Sequence, residues 1–327
     1  MVAAFNFYDD KYGFETNLTC GSAFEIAQKI HSWLGAAFDP KKLQLCRDPT
    51  ILGVTYDLQG MRLLIKESRK KELVEEIESI LTSGLLSPGQ AGKLRGKLMF
   101  GASQLWGKVG RAFLRALSER QYAKFPKHGL NAAITLALKE WRWLVQAGPP
   151  RLIEAAKARR ADLVLFTDGS FPDGTAGSPS EPWIGGALFR RGARPLQFGS
   201  SVSGSLVERW LPRKSQIVMV ELLAVVVALE TFRELLKDAW ILLFVDSEPV
   251  QGALVKGYSA KEDLCELVGV FWRIALNLKV CIYVDRVPTD SNPADAPSRD
   301  RMDVGGALGW ASVQAEFPKA LSGVGEV

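Results

Sequence analysis

An α/β fold, a mixed sheet packed between helices, is the class the sequence predicts for the C-terminal half of the chain, and three observations predict it. Residues 163–167 (LVLFT), 240–245 (WILLFV) and 279–284 (KVCIYV) are short apolar runs of the kind that form buried strands. Two further strand patterns, 184–189 and 196–202, follow the first with no helical pattern between them. Helical patterns at 215–236 and 262–277 then alternate with the last two strands. Three consecutive strands followed by helix and strand in alternation fit a mixed sheet with helices on its faces.

The N-terminal half reads differently. Ala23, Ile26, Ile30 and Leu34 recur at helical spacing and predict an amphipathic helix over 18–36. The runs 50–58 and 61–65, separated by Gln59-Gly60, predict a hairpin. A charged helix is expected over 67–82, and Ser87-Pro88 opens another, with Ser as N-cap and Pro at the first helical position. Helical patterns continue over 104–120 and 129–146 until Gly148-Pro149-Pro150 breaks them, which sets the expected domain boundary. A last helix is expected to open at Asn292-Pro293, and the Gly-rich tail 301–327 suggests no role.

Composition narrows the chemistry. The chain has 327 residues, 47% apolar and 24% charged, and reads as globular, with length for two domains. Its longest nearly apolar run, 217–229, is interrupted by Glu221 and falls short of the ~18 to 20 residues a membrane crossing needs, and no signal-peptide pattern opens the chain. The expected setting is therefore intracellular, in cytoplasm or nucleus. Cys20, Cys46, Cys265 and Cys281 are scattered, with only His31 and His128 beside them, so neither a zinc site nor a disulfide framework is expected. Any bound metal would be held by oxygen, which points to Mg2+ or Mn2+. Net charge is +5 but uneven: +13 over residues 41–160, −5 over 161–327 and −3 over 1–40. A basic segment beside an acidic one suits a grip on a polyanion joined to a carboxylate-rich centre.

Four acids stand where acids are unwelcome. Asp168 and Asp246 end apolar strands, Asp295 follows Asn292-Pro293, and Glu221 interrupts the apolar helix IVMVELLAVVVAL. A strand-end Asp often only caps a turn, and an Asp in a first helical turn often only complements the helix dipole. Glu221 resists such a reading, because a buried unpaired charge costs several kcal/mol and no Lys or Arg lies within one turn of it. If the strands ending in Asp168 and Asp246 are parallel neighbours, both carboxylates emerge at the carboxyl edge of the sheet, where α/β sheets place their ligands. Repelling acids gathered there call for divalent cations, and two ions about 3.5–4 Å apart would make a two-metal centre for phosphodiester chemistry.

The ordered series FTDGS (166–170), VELLAV (220–225), FVDS (244–247) and NPAD (292–295) resembles the ribonuclease H family in its retroelement form. The resemblance covers roughly residues 161–300. It implies a ribonuclease H-like mixed five-stranded sheet with flanking helices, and Asp168, Glu221, Asp246 and Asp295 as ligands of two Mg2+ ions, with Asp168 bridging them. The implied reaction is cleavage of the RNA strand of an RNA–DNA hybrid, leaving a 5′-phosphate and a 3′-hydroxyl. Asp285 and Asp290 are rivals for the fourth position. Many family members carry a histidine in the loop before the last acid; RVPTDSNPAD (286–295) has none, which bears on turnover.

Upstream, KLRGKLMFGASQLW (93–106) is similar to the thumb helix of retroviral-type reverse transcriptases, which implies Lys93, Gly96 and Lys97 as contacts to a template–primer duplex. The hairpin around 52–58 looks like the primer-positioning element of that family, and FYDDKYGFE (7–15) resembles its palm motif, with Asp9 and Asp10 as the polymerase acids. The implied layout is a truncated palm remnant with a primer-grip-like hairpin over 1–65, a mostly helical thumb and connection segment over 66–150, the ribonuclease H-like domain over 161–300, and a tail. On this reading the polymerase portion lies elsewhere in a polyprotein and is a possible partner, and the chain does not polymerise alone. The alternatives are a catalytically inactive remnant that only binds nucleic acid, or an integrase-like or resolvase-like nuclease acting on DNA.

Overall fold

The structure, a computed structural model, describes residues 3–7, 10–51, 53–124, 128–153, 161–172 and 180–321. The chain forms two compact units, Met1–Glu76 with Pro149–Ala156, and Ile77–Gly148 with Lys157–Val327.

In the first unit β1 (Ala3–Phe7) and β2 (Asp10–Phe14) pair antiparallel, and α1 (Cys20–Trp33) follows. Strands β3 (Thr50–Ile51), β4 (Val54–Asp57) and β5 (Arg62–Ile65) form an antiparallel sheet that β6 (Arg151–Leu152) completes. The hairpin expected at Gln59-Gly60 is present. Asp57 closes it, accepting from the Gly60 amide at 2.8 Å and from Arg62 Nε at 2.6 Å. Among the described residues of this unit only Val54 and Leu73 are buried hydrophobics, and α1 buries none of its residues.

Helix α2 (Glu67–Ser83) leads to α3 (Pro88–Gly101), whose N-terminus is a capping box: the Ser87 side chain accepts from the Gln90 amide and the Gln90 side chain accepts from the Ser87 amide. Ala91, Leu94 and Leu98 turn inward as the spacing predicts. The expected helix over 104–120 is broken instead. A π-helical stretch, Ala102–Trp106, gives way to turns, and regular helix resumes only at α4 (Leu114–Gln121). Two glycines with positive φ lie in the break, Gly107 at +59° and Gly110 at +84°, and a Cβ at Gly110 would come within 2.7 Å of the Trp141 ring. Helix α5 (Ala132–Ala147) starts at Asn131, whose side chain accepts from the Ile134 amide at 2.8 Å.

The rest of this unit is a mixed sheet with flanking helices. Strands β7 (Leu163–Ser170), β8 (Trp183–Arg190) and β9 (Leu196–Ser201) are joined antiparallel. Short α6 (Gly204–Val207), the apolar α7 (Ile217–Thr231) and α8 (Arg233–Leu236) precede β10 (Trp240–Val245). Helices α9 (Glu248–Lys256) and α10 (Glu262–Leu278) then precede β11 (Cys281–Arg286). Strand β10 lies parallel to β7 on one side and to β11 on the other. The tail adds α11 (Met302–Ala307) and a sixth strand, β12 (Ala311–Ser312), parallel to β9, so the order is β11-β10-β7-β8-β9-β12. The five strands the sequence predicts are there. The sixth is two residues long, too short for any pattern to announce it.

Helix α7 is apolar on all sides because it is buried on all sides: from Met219 to Leu229 every residue except Glu221 is buried. It packs against β7, β8, α9 and α10. Gly169 permits the close approach, since a Cβ there would lie 2.6 Å from the Glu221 amide nitrogen.

Candidate active site

The parallel pairing of β7 and β10 puts Asp168 and Asp246 on neighbouring strands at the same edge. Asp168 lies two residues inside β7, which runs on to Ser170, and is buried; Asp246 directly follows β10 and is half-buried. Glu221 reaches the same place from α7, because Gly169 holds that helix against the strand. Asp295 comes from the segment after β11. The helix expected at Asn292-Pro293 does not form. The chain instead makes turns and a single 3-10 turn, Pro297–Arg299.

Electrostatics shows that the acids feel one another. Burial pushes the Asp168 carboxyl up to about 7; the Ser298 hydroxyl opposes this, and the nearby charges of Asp246 and Asp295 add to it. Burial likewise pushes Glu221 up to about 8, with a hydrogen bond from Ser247 opposing and Asp246 and Asp168 reinforcing the shift. Asp295, and neither Asp285 nor Asp290, joins Asp246 in acting on Asp168. Asp285 sits within β11, with its Oδ1 3.5 Å from Gln251 Nε2, and Asp290 is exposed.

Protein donors reach all four acids, though Ser247 leaves one oxygen of Glu221 unserved. Ser298 Oγ donates to Asp168 Oδ2, and Thr289 Oγ1 donates to Asp246 Oδ2 at 3.2 Å. Arg299 Nε is 2.9 Å from Asp295 Oδ1, and an Arg301 nitrogen is 3.3 Å from Asp295 Oδ2. The unserved atom is Glu221 Oε2, which is buried with no hydrogen-bond partner. With the side chains as they stand, no group of three His, Cys, Asp or Glu among the described residues is arranged to hold one ion. The donor chemistry nevertheless suits hard divalent cations. An orphaned carboxylate oxygen sits beside two further acids, and both Asp168 and Glu221 are destabilised as anions until positive charge arrives.

The turn carrying Asp295 is fixed from below. Asn292 Nδ2 donates to the Thr167 carbonyl at 3.1 Å, and its Oδ1 accepts from the Ala294 amide at 3.1 Å. Asp168, Gly185 and Gly199 are cross-strand neighbours on β7, β8 and β9. A Cβ at Gly185 would lie 2.3 Å from the Ser298 amide nitrogen, and one at Gly199 would lie 2.7 Å from the Pro297 carbonyl oxygen. The 294–298 turn therefore rests directly on bare sheet backbone. Sequence reasoning missed Ser298, Ser247, Gly185 and Gly199. The nearest signal was the pair Gly185-Gly186 inside an apolar strand, which often marks close approach of another backbone.

On α3, Lys93 and Gly96 are exposed and Lys97 is half-buried, with open space where a Cβ on Gly96 would stand. Gly92 is different, because a Cβ there would meet the Gln121 side chain at 2.9 Å. Asp9 lies outside the described residues; Asp10 begins β2 and its side chain is likewise not described. Among the described residues no helix is long and apolar enough to cross a membrane.

No protein-family model matches the chain, and no curated protein is significantly similar to it. Among solved structures it is similar to ribonuclease H1 of the halophilic archaeon Halobacterium salinarum NRC-1, at 21% identity over 43% of this chain and 98% of that one, with a TM-score of 0.33. It is also similar to LC11-RNase H1 in complex with an RNA/DNA hybrid, at 20% identity over 45% and 99% of the two chains, with a TM-score of 0.34. A third likeness is to the foamy viral protease–reverse transcriptase in complex with double-stranded DNA, at 12% identity over 88% of this chain but 55% of that one, with a TM-score of 0.35. At such TM-scores the likenesses add no weight to the geometry. What stands on its own is a mixed α/β sheet with four acids gathered at one carboxyl edge.

Proposed function

We propose that the chain hydrolyses the RNA strand of RNA–DNA hybrids, as the ribonuclease H part of a retroelement reverse transcriptase. One observation carries the reading: of four acids far apart in sequence, Asp246 and Asp295 act electrostatically on Asp168, Asp246 and Asp168 act on Glu221, and Glu221 has a buried oxygen without a donor. Mg2+ or Mn2+ bound there would supply the positive charge that lets the acids ionise together and that hydrolysis of a phosphodiester requires. Asp168, Glu221 and Asp246 would hold the ions from rigid elements, since β7, β10 and α7 belong to one packed core. Asp295 would complete the set once its carboxylate turns from Arg299 and Arg301.

The substrate grip is assigned to the basic helical segment, with Lys93 and Lys97 on backbone phosphates and Gly96 allowing close approach. Contacts of that kind follow the duplex backbone and not base edges, so little sequence preference and a steep loss of binding with salt are expected. A second reading, binding without cleavage, draws support from the two arginines that now occupy Asp295.

A labelled RNA–DNA hybrid incubated with the chain and Mg2+ tests both. Cleavage that Asp168→Asn lowers by several orders of magnitude is the expected result. Tight binding with no metal-stimulated cleavage favours the second reading, and undiminished cleavage by Asp168→Asn removes these residues from the chemistry. Double-stranded DNA as substrate separates a DNA nuclease of the same fold.

A further inference from the structure

Ser298 is fully buried, and its hydroxyl has two acceptors within reach, Asp168 Oδ2 and, at 2.9 Å, the carbonyl oxygen of Asp295. A hydroxyl has one proton to give, and the carboxylate is the stronger acceptor. The bond to Asp168 is thus the one that forms, and the Asp295 carbonyl is left to the hydroxyl only when Asp168 is otherwise engaged. From the other side the Ser170 hydroxyl donates to the Ser298 carbonyl. Strand β7 therefore grips the turn twice, once through the side chain of Ser170 and once through that of Asp168 itself. The missing side chains at Gly185 and Gly199 bring the turn close enough for both bonds. The result is a closed loop of contacts from Asp168 through Ser298 to Ser170, two residues further along the same strand, with Asp295 three residues before Ser298 on the same turn.

We propose that Ser298 is a positioning residue that fixes the rotation of the Asp168 carboxylate toward a divalent cation, and that the Ser170–Ser298 bond keeps the Asp295 turn in register with it. The proposal rests on the reading of these acids as a cation site. It assigns to a serine outside the acid quartet the task of aiming the most deeply buried acid. Donors that orient a liganding group commonly change ion affinity about 10-fold to 100-fold when removed.

The test is calorimetric titration of Mn2+ into the full chain without nucleic acid, for wild type, Ser298→Ala and Ser170→Ala, with thermal melts of each in the absence of metal. Ser298→Ala is expected to weaken Mn2+ binding about 10-fold or more, and Ser170→Ala to weaken it less but in the same direction. In the cleavage assay, excess metal should restore turnover by Ser298→Ala while KM for the hybrid stays at the wild-type value. If Ser298→Ala lowers the melting temperature but binds Mn2+ as wild type does, the serine is only structural and the proposal is overturned. Should Ser298→Ala fail to fold, unchanged Mn2+ affinity in Ser170→Ala overturns it equally. A wild-type chain that binds Mn2+ with this serine dependence yet cuts no hybrid sinks the nuclease reading and leaves the positioning role standing. A wild-type chain that binds no Mn2+ overturns the positioning role.

Discussion

The two units of this chain bury their apolar residues to very different degrees. In the second unit α7 is enclosed from Met219 to Leu229 apart from Glu221, and Phe198, Phe271 and Trp141 are almost completely buried. In the first, Val54 and Leu73 are the buried hydrophobics among the described residues, while Leu18, Trp33 and Leu34 are 93%, 82% and 79% exposed. Apolar area removed from water is the main favourable term in folding, so stability must be concentrated in the second unit. The lesson is where precision can be kept: the acids of the proposed site sit on the densely packed unit, and the hairpins of the first unit have no comparable support.

The sharpest way to break this comparison is a single methyl group at a packed glycine. Gly169→Ala would drive a Cβ into the α7 backbone, which no side-chain rotation can relieve, and is expected to cost about 3 kcal/mol or more in a denaturant melt. A loss under about 0.5 kcal/mol, as at ordinary surface sites, would show that α7 does not sit where the structure puts it.

Next in size is a dependence on pH that two acids of the second unit generate. Asp168 at about 7 and Glu221 at about 8 in the fold both lie above their ordinary values. The stability these acids allow is fully present below about pH 4, where they are protonated in both states. It is lost as pH rises through about 7 and 8, because the fold then holds buried anions that the unfolded chain carries in water. Metal-free protein should lose stability on the order of a few kcal/mol across that window, shared between two coupled acids. Added Mg2+ should raise the melting temperature at the alkaline end and leave it unchanged near pH 4. Melts that stay flat with pH in the absence of metal would contradict the electrostatic picture of the site.

The smallest effect belongs to α1. Trp33→Ala removes a large side chain that touches little, and is expected to change stability by less than about 0.5 kcal/mol. Hydrogen exchange gives the same contrast without mutation, with α1 amides exchanging far faster than those of α7.

How much of this the sequence reveals depends on whether a feature is local. Glu221 stands out because a charge inside IVMVELLAVVVAL has no innocent explanation within its own helix, and the strand ends at Asp168 and Asp246 announce themselves by apolar runs. The hairpin at Gln59-Gly60 and the Ser87 cap are equally local, and both form as expected. Ser298 and Gly185 have roles only with respect to each other, 113 positions apart in the numbering, and nothing near either one signals the partner. The helix anticipated after Asn292-Pro293 fails for a similar reason. The turn follows the flat backbone seat beneath it, anchored by Asn292, whose Nδ2 donates to the Thr167 carbonyl and whose Oδ1 accepts from the Ala294 amide. The break inside 104–120 runs through two positive-φ glycines, Gly107 and Gly110, the second packed against Trp141 of another helix.

Strand β12 has a practical consequence. It pairs with β9 over two residues, Ala311 and Ser312, and the Arg194 side chain bonds the carbonyls of Gly309 and Trp310 beside it. A chain ended near residue 300 would leave β9 as an open border, with its amides and carbonyls free to recruit a strand from a neighbouring molecule. Such a shortened protein is expected to aggregate even though every acid of the site is present. The last few turns of the polypeptide therefore protect solubility, a property that an activity assay on dilute enzyme would never report.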